Sequence, residues 1–267
     1  VTRWKGVGLM VVWREVFPGH SGEVTGDVAL SVLEHRYVWP QDSVWVRANM
    51  VSSIDGAIAG VDGLSGSLNN EADGEVFAAL RGLCDVVVVA GGTVRTEGYE
   101  GIEVPAQWCG VRSRLGLPEH IQLVVVSGSG RLPEAVLSPG VGVPPLVATT
   151  VVGARRLAGR IDERQLMVCA GERVDVSWVV DQLVVRGMGR VLMEGGPSLL
   201  AQAFSAGVVD ELALTTVGVL SPGAHRTITD DGSDGGVHPL VGAQLVHQLV
   251  ATDPMTVAAL WRVIRER

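Results

Sequence analysis

The sequence predicts an α/β chain: a mostly parallel central sheet, helices on both faces and an antiparallel edge near the C-terminus. Two observations carry this. Residues 86–89 and 191–193 are short, wholly apolar runs of the kind buried in a parallel sheet, and each meets a double-glycine turn, Gly91-Gly92 and Gly195-Gly196, ahead of a helical pattern. Residues 244–251 and 257–264 are two further strand patterns split by Asp253-Pro254, which predicts an antiparallel pair. With 267 residues, 47% of them hydrophobic, the chain has the means to bury a large core.

The elements follow in order. Residues 1–43 read as a leader, with a loop at 18–22, a short helix over 28–36, and Trp4, Trp13 and Trp39 available to pack on a main domain covering 44–267. Residues 44–51 form the first buried strand, closed by turn chemistry at Ser52-Ser53-Ile54-Asp55-Gly56. The Gly/Ser/Asn-rich stretch 60–70 is a loop long enough to touch a ligand, and Asn69 or Asn70 caps a helix from Glu71 with Val76, Phe77, Ala79, Leu80 and Leu83 inward. After the strand at 86–89, residues 97–120 are an irregular connection. Strands follow at 121–126, 146–149 and 166–169, with a weak Arg-rich helix before the last and a helix over 174–186 after it. Pro197 sits where a proline suits a helix's first turn, residues 210–217 form a strand, and 220–236 is a Gly/Asp-rich loop.

Composition removes several classes of function. A net charge of −8 argues against a nucleic-acid partner, which requires a basic face. Three scattered cysteines fit a reducing compartment, and with no HxE or CxxC pattern no metal site is expected. Arg3 and Lys5 before an apolar run imitate a signal peptide, but the run stops at Arg14 without a cleavage site. No stretch approaches a membrane span, so a cytoplasmic location is expected.

Three predicted strands end in glycine or serine turns, at Gly91, Ser127 and Gly195. In an open α/β sheet such turns line a crevice beyond the carboxyl ends of the strands, and free N–H groups at helix starts suit a pyrophosphate. The same turns also serve as plain connections. Of the carboxylates nearby, Asp55, Asp73, Glu97 and Glu194, only Glu194 is placed at the end of a buried strand, where a charge needs a partner. Arg81, Arg95 and Arg131 are the candidate cations.

Taken together, Ser53-Ile-Asp55-Gly56, Gly63-Leu-Ser65, Leu80-Arg81 with Asp85, Gly91-Gly-Thr93-Val94, Glu194-Gly-Gly-Pro-Ser-Leu199 and Asp210-Glu211-Leu212 resemble the reductase domain of the bacterial riboflavin-pathway enzymes, which has a dihydrofolate reductase-like fold. The resemblance runs from about residue 44 to the C-terminus. It implies a homodimeric, NADPH-dependent reductase acting on the ribose C1′ of 5-amino-6-(5-phosphoribosylamino)uracil. By motif, Gly91, Gly92, Thr93 and Val94, with Gly195, Gly196, Pro197, Ser198 and Leu199, would hold the cofactor phosphates and nicotinamide. Ser127 and Arg131 would face the adenosine 2′-phosphate. Ser65 and Arg81 would take the substrate phosphate, Asn49 and Asp73 would join the substrate side, and Glu97, Glu194 and Asp55 are the candidate catalytic carboxylates.

The chain departs from the family pattern at Asn49, in place of a lysine, at Ser67, in place of a tryptophan, at Gly98-Tyr99, in place of Asp-Pro, and near Val104, where an arginine is missing. The cofactor half of the pattern is therefore better kept than the substrate half. Two alternatives stay open. One is reduction of a dihydropterin, with Asp73 facing its amidine edge; the bland reading of Asp73 is a helix-start acid. The other is a non-catalytic nucleotide-binding dimer.

Overall fold

The computed structural model describes residues 11–17, 23–24, 26–41, 43–223, 226–230 and 240–264. Trp4, the 18–22 loop and the end of the 220–236 loop lie outside them. Among the described residues eleven strands form one sheet: β1 Trp13–Phe17, β2 Glu23–Val24, β3 Trp45–Ser53, β4 Val86–Ala90, β5 Gln122–Val126, β6 Leu146–Thr150, β7 Leu166–Cys169, β8 Arg190–Met193, β9 Glu211–Val217, β10 Gly242–Thr252 and β11 Met255–Ile264. Their spatial order is β2-β1-β10-β11-β9-β3-β8-β4-β5-β6-β7. From β9 to β7 every pairing is parallel; from β9 outward through β11, β10 and β1 every pairing is antiparallel. The mixed sheet is thus the expected one.

The helices are α1 Gly26–Arg36, α2 Glu71–Leu83, α3 Gly91–Glu97, α4 Cys109–Arg114, α5 Glu134–Leu137, α6 Val151–Leu157, α7 Val176–Val185 and α8 Pro197–Ser205. One buried cluster joins the α1, α2 and α4 side to the sheet through Leu33, Val76, Leu80 and Val111. A second lies on the opposite face, under Val179, Leu183, Leu199 and Leu200 of α7 and α8. Asn70 caps α2 by accepting the Asp73 N–H at 3.0 Å, the cap its sequence announces. Asp85, just before β4, accepts the Gly189 and Arg190 N–H groups at 3.1 and 2.8 Å and so aligns the start of β8 with β4.

Three expectations are revised. The leader supplies a strand as well as a helix: β1 pairs with β10, and its Trp13 is 1% exposed in the main core. Five residues are too few for an alternation that sequence reading can recognise. For the same reason β10 does not carry the outer edge of the sheet, which β1 and β2 occupy. The 97–120 connection holds a 3₁₀ turn, Ala106–Trp108, and α4. These are fixed by a buried arginine rather than by periodicity: Arg112 donates to the carbonyls of Gly82, Cys84, Pro118 and His120, tying α4 to the C-terminal end of α2.

Candidate active site

β3, β4 and β8 stop at the same end of the sheet, and a cleft of about 1350 Å³ opens there. Its walls are α2, α3, the start of α8 and the 58–66 loop, and Val11 of the N-terminal segment also lines it. This is the carboxyl end of the parallel strands, where α/β sheets bind ligands.

The best-defined feature is a buried ion pair between α2 and the end of β8. Arg81 donates from Nε to Glu194 Oε1 at 2.7 Å and from Nη2 to Oε2 at 2.6 Å, a two-pronged contact. Glu194's side chain is 2% exposed and Arg81's 17%. The Tyr99 hydroxyl adds a third bond, donating to Glu194 Oε2 at 2.9 Å, and the Phe77 ring lies 4.1 Å from the guanidinium carbon. Burial works against the Arg81 charge, but the Glu194 carboxylate outweighs it and holds the guanidinium above its ordinary range. Burial and the same carboxylate push the Tyr99 phenol up.

The same α2 wall carries Asp73, in the first turn of the helix and 5% exposed. Burial raises its carboxyl to about 6, against a smaller lowering by a hydrogen bond with the Thr215 side chain. Asn49, on β3, is 8% exposed, and its Oδ1 has no hydrogen-bond partner. Glu97 Oε1 accepts the Ser65 N–H at 2.9 Å, so it secures the 3₁₀ turn Ser65–Ser67 to the end of α3.

At the glycine turns the backbone comes unusually close to its neighbours. The Gly195–Gly196 peptide is cis, and Gly195 has φ +93°. A Cβ on Gly196 would lie 2.6 Å from Thr93 Oγ1, so a side chain there would displace the Thr93 hydroxyl. The N-caps of α3 and α8 are Ala90 and Gly196, which have no side-chain acceptor, whereas α2, α6 and α7 are capped by Asn70, Thr150 and Asp175. The first turns of α3 and α8 face the cleft without a capping side chain.

The structure therefore gathers most of the sequence candidates in one place. Asn49, Ser65, Asp73, Arg81, Glu97 and Glu194 line the cleft, as do Gly92, Thr93, Gly196, Pro197, Ser198 and Leu199. Gly91, Val94 and Gly195 are buried beside it without lining it. Asp55 is elsewhere: it is exposed, accepts the Ser53 hydroxyl at 2.6 Å and the Ser221 N–H at 3.0 Å, and so staples the turn after β3. Ser127 is buried beneath Gly91, and Arg131 is exposed on the next loop, whose carbonyls take hydrogen bonds from Arg95 and Arg156. Arg81 directs its Nε and Nη2 at Glu194, which changes the expectation that it meets a phosphate. Sequence reading had no signal for Tyr99 as a partner of Glu194, since the two are 95 positions apart. Thr215 was visible only as one polar residue among the inward positions of β9.

Two outcomes follow from these contacts. Replacing Arg81 by Met leaves Glu194 buried with one neutral partner, so unfolding by urea should show a loss of about 3–5 kcal/mol, most of it recovered in Arg81→Met/Glu194→Leu. A loss below about 1 kcal/mol for the single variant would mean the pair does not hold the site together. Asp73 binds its proton more tightly folded, at about 6, than unfolded, at the ordinary 3.8, so its contribution to stability is full below pH 3.8 and is lost as pH rises through 6. That gap corresponds to about 3 kcal/mol. Asp73→Asn keeps the neutral form, so it should be the more stable protein at pH 8, with the advantage fading by pH 4; equal urea midpoints at both pH values would contradict the burial argument.

Comparison with known proteins agrees with this architecture. A family model described as the RibD C-terminal domain matches residues 44–250. The 2,5-diamino-6-ribosylamino-4(3H)-pyrimidinone 5′-phosphate reductase of Archaeoglobus fulgidus is 25% identical over 171 residues, covering 64% of this chain and 78% of that one. A crystal structure of a pyrimidine reductase-like protein from Corynebacterium diphtheriae superposes with a TM-score of 0.67 at 24% identity, covering 84% of this chain and 93% of that one. The riboflavin biosynthesis reductase of Saccharomyces cerevisiae gives a TM-score of 0.59 at 14% identity, covering 88% and 99%. These two share the dihydrofolate reductase-like fold, and the match over residues 44–250 shows that the chain belongs to the RibD C-terminal domain family.

Proposed function

We propose that this protein is a pyrimidine-ribotide reductase of riboflavin biosynthesis that uses NADPH. The observation that carries the reading is the meeting of the two glycine turns with the α2 wall in one cleft, in a chain of this family. When bound, NADPH supplies the hydride. Gly92, Thr93 and the Gly196–Leu199 turn would hold its phosphates and nicotinamide, since both helix starts lack a capping side chain and, at Gly196, only the Thr93 hydroxyl stands beside the backbone. Ser127 and Arg131 would hold the adenosine 2′-phosphate, with Arg95 and Arg156 steadying their loop. Glu194, held by Arg81 and Tyr99, keeps the turn in position rather than acting as a free base. With Arg81 so engaged, Arg226, the other arginine on the cleft among the described residues, is a second candidate for the substrate phosphate beside Ser65, more exposed than Arg81 and held by Asp230, whose Oδ2 accepts its Nε–H at 3.0 Å.

A second reading, reduction of a dihydropterin, is favoured by Asp73: a buried carboxylate on the cleft, bonded to Thr215, suits the amidine edge of a pterin. For either substrate the resemblance suggests a cytoplasmic homodimer. Among the described residues no helix is long and apolar enough to cross a membrane.

Cofactor binding tests the assignment. Arg131→Ala should raise the Kd for NADPH by about 10- to 100-fold and leave that for NADH nearly unchanged, because only NADPH carries the 2′-phosphate. Equal weakening of both cofactors, or of neither, in fluorescence titrations would remove Arg131 from the site.

A further inference from the structure

We infer that α3 couples the two ligands of the cleft, with Arg95 and Glu97 as positioning residues: engagement of the cofactor's 2′-phosphate tightens the hold on the substrate. The inference rests on the reductase reading and on where that reading puts NADPH and the ribotide.

Residues two apart on a helix lie about 200° apart around its axis, so their side chains leave on opposite sides. Arg95 and Glu97 stand in that relation on α3. Arg95 donates from Nη1 to the Arg131 carbonyl at 2.8 Å, on the loop after β5. Glu97 Oε1 accepts the Ser65 N–H at 2.9 Å, on the loop that lines the cleft. One short helix therefore grips the loop proposed for the cofactor on one side and the loop proposed for the substrate on the other.

The loop after β5 is otherwise held from behind. Thr149 and Thr150 of β6 and Arg156 of α6 donate to the carbonyls of Ser127, Gly128 and Ser129. The substrate loop is braced within itself. Asp62 accepts the Leu64 N–H at 3.0 Å and the Ser67 hydroxyl at 2.6 Å, and Gly60 donates to the Leu64 carbonyl at 3.0 Å. A Cβ on Gly60 would lie 2.5 Å from that of Ser67, so the two ends of the loop lie against each other. A loop tied in this way moves as a unit, and Glu97 is where α3 takes hold of it.

The helix between them is well anchored. Val94 is buried in the main core, and Gly98, at φ +68°, closes the C-terminal end with its N–H on the Val94 carbonyl. A 2′-phosphate drawn to Arg131 fixes that loop, and through Arg95 it fixes the setting of α3; Glu97 then holds Ser65 in place for the substrate. A ligand shifts such an equilibrium only by its differential affinity for the two settings. The 2′-phosphate, present in NADP⁺ and absent from NAD⁺, is the part of the cofactor that acts by this route, whereas the nicotinamide is common to both.

Calorimetry with oxidised cofactors, which have no hydride to give, tests the coupling. The ribotide 2,5-diamino-6-ribosylamino-4(3H)-pyrimidinone 5′-phosphate is titrated into the protein alone, at saturating NADP⁺ and at saturating NAD⁺. Wild-type protein should bind it about 5- to 20-fold more tightly with NADP⁺ than with NAD⁺. Glu97→Ala and Arg95→Met should each bring that ratio to within about twofold of one, and the double variant should lose no more than either. Glu97→Gln, whose carboxamide oxygen still accepts the Ser65 N–H, and Arg95→Lys, which still donates, should restore most of it. A merely structural loss would weaken the binary complexes and leave the ratio as it was. Equal ribotide binding with the two cofactors in wild type, or an unchanged ratio in Glu97→Ala, overturns the inference and leaves the reductase reading standing. No binding of the ribotide under any of the three conditions removes the ribotide reading and the inference with it.

Discussion

The ion pair between Arg81 and Glu194 is the contact on which the cleft depends. It joins the last turn of α2 to the last residue before the Gly195-Gly196 turn, so the α2 wall and the glycine turn of the cleft are fixed to each other. A buried pair of this kind contributes little net stability compared with apolar packing, but breaking it strands a charge. Its value lies in geometry. Two parallel hydrogen bonds and the Phe77 ring leave the guanidinium one orientation, and the Tyr99 hydroxyl satisfies a further lone pair of the carboxylate.

From that fixed point the division of the site follows. On the β4–β8 side the cleft is lined by small residues and by two helix starts without capping side chains. On the α2 side it is lined by side chains, among them Asp73 and Asn49, both buried polar groups. The N-terminal segment takes part as well. Trp13 donates its indole N–H to Glu75 Oε2 at 2.7 Å, which fastens β1 to the α2 wall two residues beyond Asp73.

How much of this the sequence disclosed depended on how local each signal was. The parallel strands at β4 and β8 were legible because four valines, or three apolar residues before a double glycine, have few other uses. The α2 cap was legible because an Asn immediately before an amphipathic run has a short-range mechanism. β1 and α4 were not, because each is held by distant partners, β10 in one case and the carbonyls around Arg112 in the other. The same distinction separates the site residues. Glu194 stood out as a strand-end carboxylate in need of a partner, yet its partner, Arg81, lies 113 positions away, and only the fold shows that the guanidinium is turned toward a carboxylate and not toward a phosphate. Asp55 had the right residue type in the right motif and proves to be a turn staple, because its acceptors meet Ser53 and Ser221.

The central claim is that cofactor and substrate meet in this single cleft, so that hydride passes directly between them. Isotope transfer tests it most directly: NADPH carrying two deuterium atoms at nicotinamide C4 is incubated in ordinary water with the protein and the diaminopyrimidinone ribotide, and the product is analysed by mass spectrometry. Direct transfer predicts one deuterium on the ribityl C1′ of the product. Consumption of NADPH with no deuterium in the product, or no consumption at all, would contradict the account.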